Sequence, residues 1–295
     1  MLSTDAFAEE LARCTFDPPG TEVVCAVSGG ADSSALLILA VAAGCTVEAI
    51  HVDHGLRDGS AAEADAVAAL CSSLGVAFTA QSVQLQSGPN LEARARHARY
   101  GVLPVGVLTG HTADDQAETM LINLMRGAGL DGMAGIARTT RRPLLGLRRS
   151  DTEAVCARAG VAPIIDVMNV DPAYLRVRVR HELLPLMDDL SGRDVAGLLA
   201  RQAALFADDA LMLNDLAGEI DVEDARAVAG ERPALARRAI RRFLQVGPGA
   251  NHPVDARTVD RVLDVAAGLA VSTDVGQGWR VHRTDQRLRL VPPEA

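Results

Sequence analysis

Apolar residues along the first half of the chain come in short runs, each followed by a segment of helical period. Residues 21–28 (TEVVCAVS) are β-branched and apolar and end in Gly-Gly, the pattern of a strand buried on both faces. Residues 32–43 (DSSALLILAVAA) read as a helix, 47–52 as a second strand and 59–74 as a helix with an Ala-rich face. A weaker third strand follows at 78–83, then a helix that Asn90 can cap and that runs to Leu103, a fourth strand at 105–109, and a helix at 113–126. Strands and helices alternating at this spacing predict an α/β fold with a parallel sheet covered on both faces. Such sheets bind ligands beyond the carboxyl ends of their strands.

From 127 to 146 the pattern breaks into a Gly- and Arg-rich loop, and a helix resumes at 151–159. Between 176 and 180 arginines alternate with valines, which taken alone suggests a strand. The segment DDLSGR at 188–193 is a turn signal and a candidate domain boundary. Beyond it the chain is rich in Ala, Leu and Arg and helical in period, ending in a stretch (271–291) that reads as a small hairpin. The expected organisation is a parallel-sheet domain over residues 1–190 and a smaller, mainly helical domain over 191–295.

Composition narrows the chemistry. The chain has 295 residues, 48% hydrophobic and 23% charged, which suits a globular protein with real cores. No apolar run is long enough to span a bilayer, and the first residues are acidic where a secretory signal would be basic, so the expected location is the cytoplasm, away from membranes. The five cysteines, Cys14, Cys25, Cys45, Cys71 and Cys156, form no CxxC pair and read as reduced thiols. All 29 basic residues are arginine, which excludes a Schiff-base lysine and a Walker-type P-loop. A net charge of −9 argues against a globally basic nucleic-acid surface, so any RNA contact must come from local arginine clusters.

The strongest local signal is Ser28-Gly29-Gly30-Ala31-Asp32-Ser33, lying between the first strand and the helix after it. Glycines let backbone approach a phosphate, and the N–H groups and dipole of a helix start favour its charge. Ser28 and Ser33 add hydroxyl donors, and Asp32 would need a cation such as Mg²⁺ between itself and phosphate. The same residues also suit a plain turn in which Asp32 or Ser33 caps the helix. His51, Asp53 and His54 end the second strand, either facing a ligand or starting a turn. After the fourth strand, His111, Asp115 and Glu118 are spaced to lie near one helix face. They are either a cation-dependent site or a Thr112–Asp115 capping box beside a solvated Glu118.

Taken in order, these segments resemble one family. SGGADS is similar to the SGGxDS pyrophosphate-binding loop of the N-type ATP pyrophosphatases, a superfamily with an adenine nucleotide alpha hydrolase-like fold. HVDHGLR (51–57), GHTADDQAET (110–119), RGAGLDGMAGI (126–136) with RPLL (142–145), and the stretch from Asp166 to Pro185 resemble the tRNA(Ile)-lysidine synthetase family within it. Met168 and Val177 depart from the family's Ser and Asn, while Asn169, Tyr174, Arg176 and Arg180 match, and the family precedent makes this stretch a helix.

The resemblance implies ATP and Mg²⁺ as cofactors, held by Ser28, Gly29, Gly30, Ala31, Asp32, Ser33, His51, Asp53 and His54, with Asp32 and Asp115 as metal ligands. It implies catalytic roles for His111, Asp115, Glu118 and Arg178, with His111 either stabilising phosphate or handling a proton. The Gly-rich loop at 126–136 is expected to close over the activated cytidine or the amino acid. The implied reaction adenylates the wobble cytidine of tRNA(Ile) with a CAU anticodon and then joins L-lysine to carbon 2. The implied partners are that tRNA, L-lysine and, as an open alternative, a second copy of the chain. A tRNA thiolation enzyme of the same superfamily and a non-catalytic ATP-binding module are the competing readings. Arginine clusters at 94–99 (Arg94, Arg96, His97, Arg99), at 138–149 and at 237–242 are candidate tRNA contacts, or else solvated faces that neutralise neighbouring acids.

Overall fold

The computed structural model describes residues 4–53, 60–83, 101–164, 171–247 and 254–293. His54, the Asn90 cap, the 94–99 arginine cluster and the 165–170 part of the fifth motif lie outside the described residues. The chain forms two compact units, Met1–Phe206 and Ala207–Ala295.

In the first unit, α1 (Ala8–Leu11) follows a 3₁₀ turn, and β1 (Glu22–Ala26), α2 (Ala31–Ala42), β2 (Thr46–Asp53), α3 (Ser60–Leu74) and β3 (Ala77–Ser82) then alternate as expected. The sheet is parallel in the order β1-β2-β3, and Leu108 adds a parallel bridge to Cys25 on the other side of β1. The chain therefore changes direction across the sheet at β1, and the crevice beyond its carboxyl end is the place where such folds bind ligands. Helix α2 buries Leu36, Leu37, Ile38 and Leu39 against Val23, Cys25, Val27 and Ala49. Each such aliphatic side chain contributes roughly 1.5–3 kcal/mol by leaving water.

The expected fourth strand shrinks to that single bridge. Pro104 and Gly106, the latter at φ 97°, turn the chain, and Val105 is 94% exposed. Only Leu108 reaches β1, exchanging backbone hydrogen bonds with Val24 and Ala26. Helices α4 (Ala113–Met125), α5 (Leu130–Met133) and α6 (Arg149–Arg158) follow.

The alternating Arg/Val stretch is helical: α7 (Leu175–Arg178) widens into a π turn (Val179–Leu183) and continues as α8 (Leu184–Ser191). Val177 and Val179 are both buried there. The DDLSGR turn ends α8 at Gly192, which takes a left-handed φ of 62°. The two units divide further on, inside α9 (Val195–Gly218), because Val195 and Ala196 pack with Ala117, Leu121, Val179 and Leu184 of the first unit.

The second unit joins α10 (Ala225–Gly230), α11 (Pro233–Gln245) and α12 (Ala256–Ala267) to β4 (Ser272–Gly276), β5 (Trp279–Thr284) and β6 (Arg287–Val291). The terminal stretch is a three-stranded antiparallel meander rather than one hairpin. Asp285 and Gln286, both at positive φ, make the two-residue turn between β5 and β6. Val259, Val262 and Val265 of α12 pack on Ile240, Leu244, Val281 and Leu288. Among the described residues no helix is long and apolar enough to cross a membrane.

Candidate active site

The SGGADS segment makes a tight turn from β1 into α2. Gly29 sits at φ 88°, and a Cβ there would lie 2.5 Å from Ile164 Cδ1. Ser33 Oγ donates to Gly30 O (3.0 Å) and accepts from Ser28 N (3.1 Å), which folds the loop over the helix start. Gly30 occupies the N-cap and offers no capping side chain. The first N–H groups of α2 thus have neither an intrahelical acceptor nor a side-chain cap, as anion binding requires. The alternative in which Asp32 or Ser33 caps the helix is not what forms: Asp32 accepts from Thr152 Oγ1 and Arg149 Nε (3.4 Å), both on α6.

His51 ends up buried behind this loop, its Nδ1 2.8 Å from Val27 O. It fixes the end of β1 from the neighbouring strand, and Asp53 lies two residues further along β2, at its end. On the opposite side, Gly110 packs against the loop so closely that a Cβ would lie 2.6 Å from Asp32 O. That contact brings the 110–119 segment beside the phosphate-binding turn. His111 Nδ1 is 2.8 Å from Thr109 Oγ1, and Asp115 Oδ2 accepts from Thr112 N (2.9 Å). The capping interaction of Thr112 with Asp115 is therefore present, yet Glu118 is not solvated: its side chain is 0% exposed.

Three arginines surround Glu118. Arg180 grips it with Nε to Oε1 at 2.7 Å and Nη2 to Oε2 at 3.1 Å. Arg176 Nε stands 3.0 Å from Oε2 without hydrogen-bond alignment and donates through Nη2 to Thr119 Oγ1 (2.9 Å). Arg149 Nη1 is 3.6 Å from Oε1. Helical geometry explains the choice. Positions 176 and 180 share a face, while 178 points about 200° away. Arg178, expected among the catalytic residues, instead pairs with Glu182 at 2.8 Å, and its side chain is 57% exposed. It is not brought to the site.

Of the two readings of the 138–149 arginines, tRNA contacts or neutralisers of neighbouring acids, Arg148 and Arg149 follow the second and face carboxylates. Arg148 clasps Asp114 through Nη2 (2.8 Å) and Nε (3.1 Å) and also pairs with Asp194. Arg149 stands 3.4 Å from Asp32, 3.7 Å from Asp115 and 3.6 Å from Glu118. In the second unit, Arg237 pairs with Asp260 and buried Arg238 donates to Asn214, so the 237–242 arginines do not form one free basic face.

Electrostatics follow from these contacts. Burial pushes the Asp115 carboxyl up, but the Thr112 N–H and the charges of His111, Arg149 and Arg176 outweigh it and hold it below the ordinary range. For Asp32, burial outweighs Thr152 and Arg149, and its carboxyl lies above the ordinary range. Asp32 and Asp115 also feel each other's charge.

The loop at 126–136 is tied to α4. Gln116 accepts from Ile136 N (2.6 Å) and donates to Ala134 O and Ile136 O, and Asn123 donates to Gly132 O (2.8 Å). Sequence reasoning passed over Gln116, Thr152 and the site role of Arg149. For Gln116 the signal was its place in DDQAET, but nothing in the sequence pairs Arg149 with Asp32.

Comparison with known proteins agrees with this geometry. Residues 3–187 match the model of the PP-loop domain family. The tRNA(Ile)-lysidine synthase of Nocardia farcinica (strain IFM 10152) is 42% identical over 289 residues, covering 91% of this chain and 90% of that protein. Those of Mycolicibacterium paratuberculosis (strain ATCC BAA-968 / K-10) and Thermobifida fusca (strain YX) are 41% and 39% identical, covering 90% and 83% of this chain and 89% and 82% of their own lengths. The solved structure of a U34-tRNA thiolase from Methanococcus maripaludis is similar in fold (TM-score 0.53, 15% identity, 69% of this chain and 80% of that one). With an uncapped glycine turn at the switch point of a parallel sheet, a PP-loop match over that unit and these relatives along nearly its whole length, the chain belongs to the tRNA(Ile)-lysidine synthase family of PP-loop, ATP-binding proteins.

Proposed function

We propose that the chain joins L-lysine to carbon 2 of the wobble cytidine of tRNA(Ile) with a CAU anticodon, converting ATP to AMP and pyrophosphate. The observation that carries this reading is the uncapped start of α2, set beside Asp32, Asp115, Glu118 and their arginines. In the first step the cytidine carbonyl oxygen attacks the α-phosphorus, and pyrophosphate leaves. The N–H groups at the start of α2, with Ser28 and Ser33, stabilise the charge that develops on the leaving phosphates. In the second step the lysine ε-amine attacks carbon 2 and displaces AMP.

Asp32 and Asp115 are the carboxylates that would hold Mg²⁺, which supplies charge neutralisation between phosphate oxygens. They fit this task because they already share a cation, the Arg149 guanidinium. Asp115 and Glu118 are anions suited to a lysine ammonium. His111, oriented by Thr109, is placed to move a proton or stabilise phosphate. The loop at 126–136, anchored by Gln116, forms the wall on the α4 side.

Thiolation is the weaker reading. Burial holds all five thiols above their ordinary range, Cys14 up to about 12 and Cys156 to about 11, which leaves little thiolate for sulfur transfer. Incubating the chain with ATP, Mg²⁺, tRNA(Ile) transcript and labelled L-lysine tests the proposal. AMP release together with label in the tRNA supports it. AMP release without label keeps adenylation and removes lysine, and absence of AMP removes the ligase reading.

A further inference from the structure

Four arginines of the first unit enclose the site, and they are held in two ways. Arg148 and Arg180 each grip one carboxylate with two nitrogens, at closest distances of 2.8 and 2.7 Å, and Arg176 holds Glu118 and Thr119. Arg149 is different. Its main chain is pinned, the N–H donating to Asp114 Oδ2 at 2.7 Å. Its guanidinium comes no nearer than 3.4 Å to any of the three carboxylates it faces, and the side chain is 24% exposed. The contact to Asp32 is a long hydrogen bond from Nε, and those to Asp115 and Glu118 are Coulombic, so the head group loses less on leaving them than a tightly paired arginine would. One of those three partners, Asp32, belongs to the first turn of α2, the turn that starts without a side-chain cap.

An incoming polyphosphate therefore arrives next to three carboxylates and one loosely held arginine. Like charges repel at this range, and the guanidinium is the group free to change partners. We infer that Arg149 is an exchange residue: it neutralises Asp32 and Asp115 before ATP binds, moves onto the polyphosphate of ATP, and leaves those two carboxylates to the cation that accompanies ATP and to a cationic co-substrate, while Arg176 and Arg180 keep Glu118. The inference rests on the ligase reading for the identity of both ligands. Arg149 fixes the order in which charges are covered, and the tightly paired arginines hold the framework around it.

Two binding measurements on the full chain test this, with Arg149→Gln and Arg149→Lys beside the wild type and thermal melting as a check on folding. For Arg149→Gln, ATP affinity measured by calorimetry is expected to fall about tenfold or more, as for loss of a charge-assisted hydrogen bond, with adenosine affinity unchanged. L-lysine without nucleotide is expected to bind more tightly than to the wild type, because the competitor shared by Asp32 and Asp115 is gone. Arg149→Lys is expected to recover most of the ATP affinity. A purely structural arginine would weaken ATP and adenosine alike and would not strengthen lysine binding, and that result overturns the inference. So does ATP affinity within twofold of wild type in Arg149→Gln. A wild-type chain that binds no ATP overturns the ligase reading as well, which separates the two failures.

Discussion

Arg180 holds Glu118 through two nitrogens, at 2.7 and 3.1 Å, across 62 residues of sequence, with the carboxylate wholly shielded from water. The pairing ties the π turn after α7 to the middle of α4, so the fifth sequence motif and the third form one structural unit. Glu118→Gln would keep the shape and remove the charge, leaving Arg180 and Arg176 facing a neutral amide. We expect a stability loss of about 3 kcal/mol in denaturant unfolding, together with loss of lysine ligation. Arg178→Ala, two residues from Arg180, is expected to leave both unfolding and ligation at wild-type values, since its ion pair is with exposed Glu182. Loss of ligation in Arg178→Ala would restore that arginine to the site.

Gly110 makes a sharper steric prediction. Its φ is not in the left-handed region, so the cost of a side chain comes from collision alone: a Cβ would lie 2.6 Å from Asp32 O and 3.1 Å from Ser33 N, both backbone atoms of the phosphate turn. Gly110→Ala is expected to push that turn away, raising the KM for ATP tenfold or more at a stability loss of roughly 1–3 kcal/mol. Gly101→Ala, at a helical position where a Cβ meets nothing within 4 Å, serves as the control and should leave the KM unchanged with no loss of stability.

Much of the first unit was legible because each of its strands and helices carries its burial in its own residues. Val23 and Cys25 of β1 and Val27 just after it alternate inward, and the middle of α2 is apolar all round because it is buried all round. Glycine and proline, not hydrophobicity, decided the fourth strand, where Gly106 turns the chain before it can pair. The alternation at 176–180 alone points to a strand, and it was the family precedent that gave the helix that forms, which widens at Val179. The anionic half of the site was readable from SGGADS and DDQAET. The arginines were not, because the partners of Arg148 and Arg149 are set by folding: Asp114 is 34 residues from Arg148, and Asp32 is 117 from Arg149. A basic run in sequence leaves an RNA surface and a neutralised face equally open until tertiary structure supplies the acids.

Gln116 is expected to govern the Gly-rich loop. It is buried, and its amide meets the backbone of 134–136 three times. Gln116→Ala would remove those bonds and leave Ile136 N without its acceptor, a loss of about 1–3 kcal/mol. Hydrogen exchange should quicken at residues 130–136 while α2 and β1 keep wild-type protection. Uniform protection across the loop would mean that Asn123 alone holds it through Gly132.

Asp114 sets the acid limb of stability. Burial raises its carboxyl, but the hydrogen bonds from Arg148 and from Arg149 N, with the charges of both arginines, more than offset it, so the folded value lies below the ordinary 3.8. A carboxyl depressed on folding stabilises the native state fully above its unfolded value, and that contribution disappears as pH falls through the lower folded value. Asp32, shifted the other way, has the opposite sign: its ionised form is disfavoured by folding, so protonation near and above 3.8 relieves the native state. Asp114→Asn should therefore be less stable than the wild type by a constant margin from pH 5 to pH 7, on the order of 1–3 kcal/mol. The margin should narrow only below about pH 4, where the wild-type carboxylate itself begins to take a proton. Denaturant unfolding of both chains across pH 2.5–7 measures it. A margin already shrinking between pH 6 and pH 5 would show that Asp114 titrates above its ordinary value and that Arg148 does not hold it.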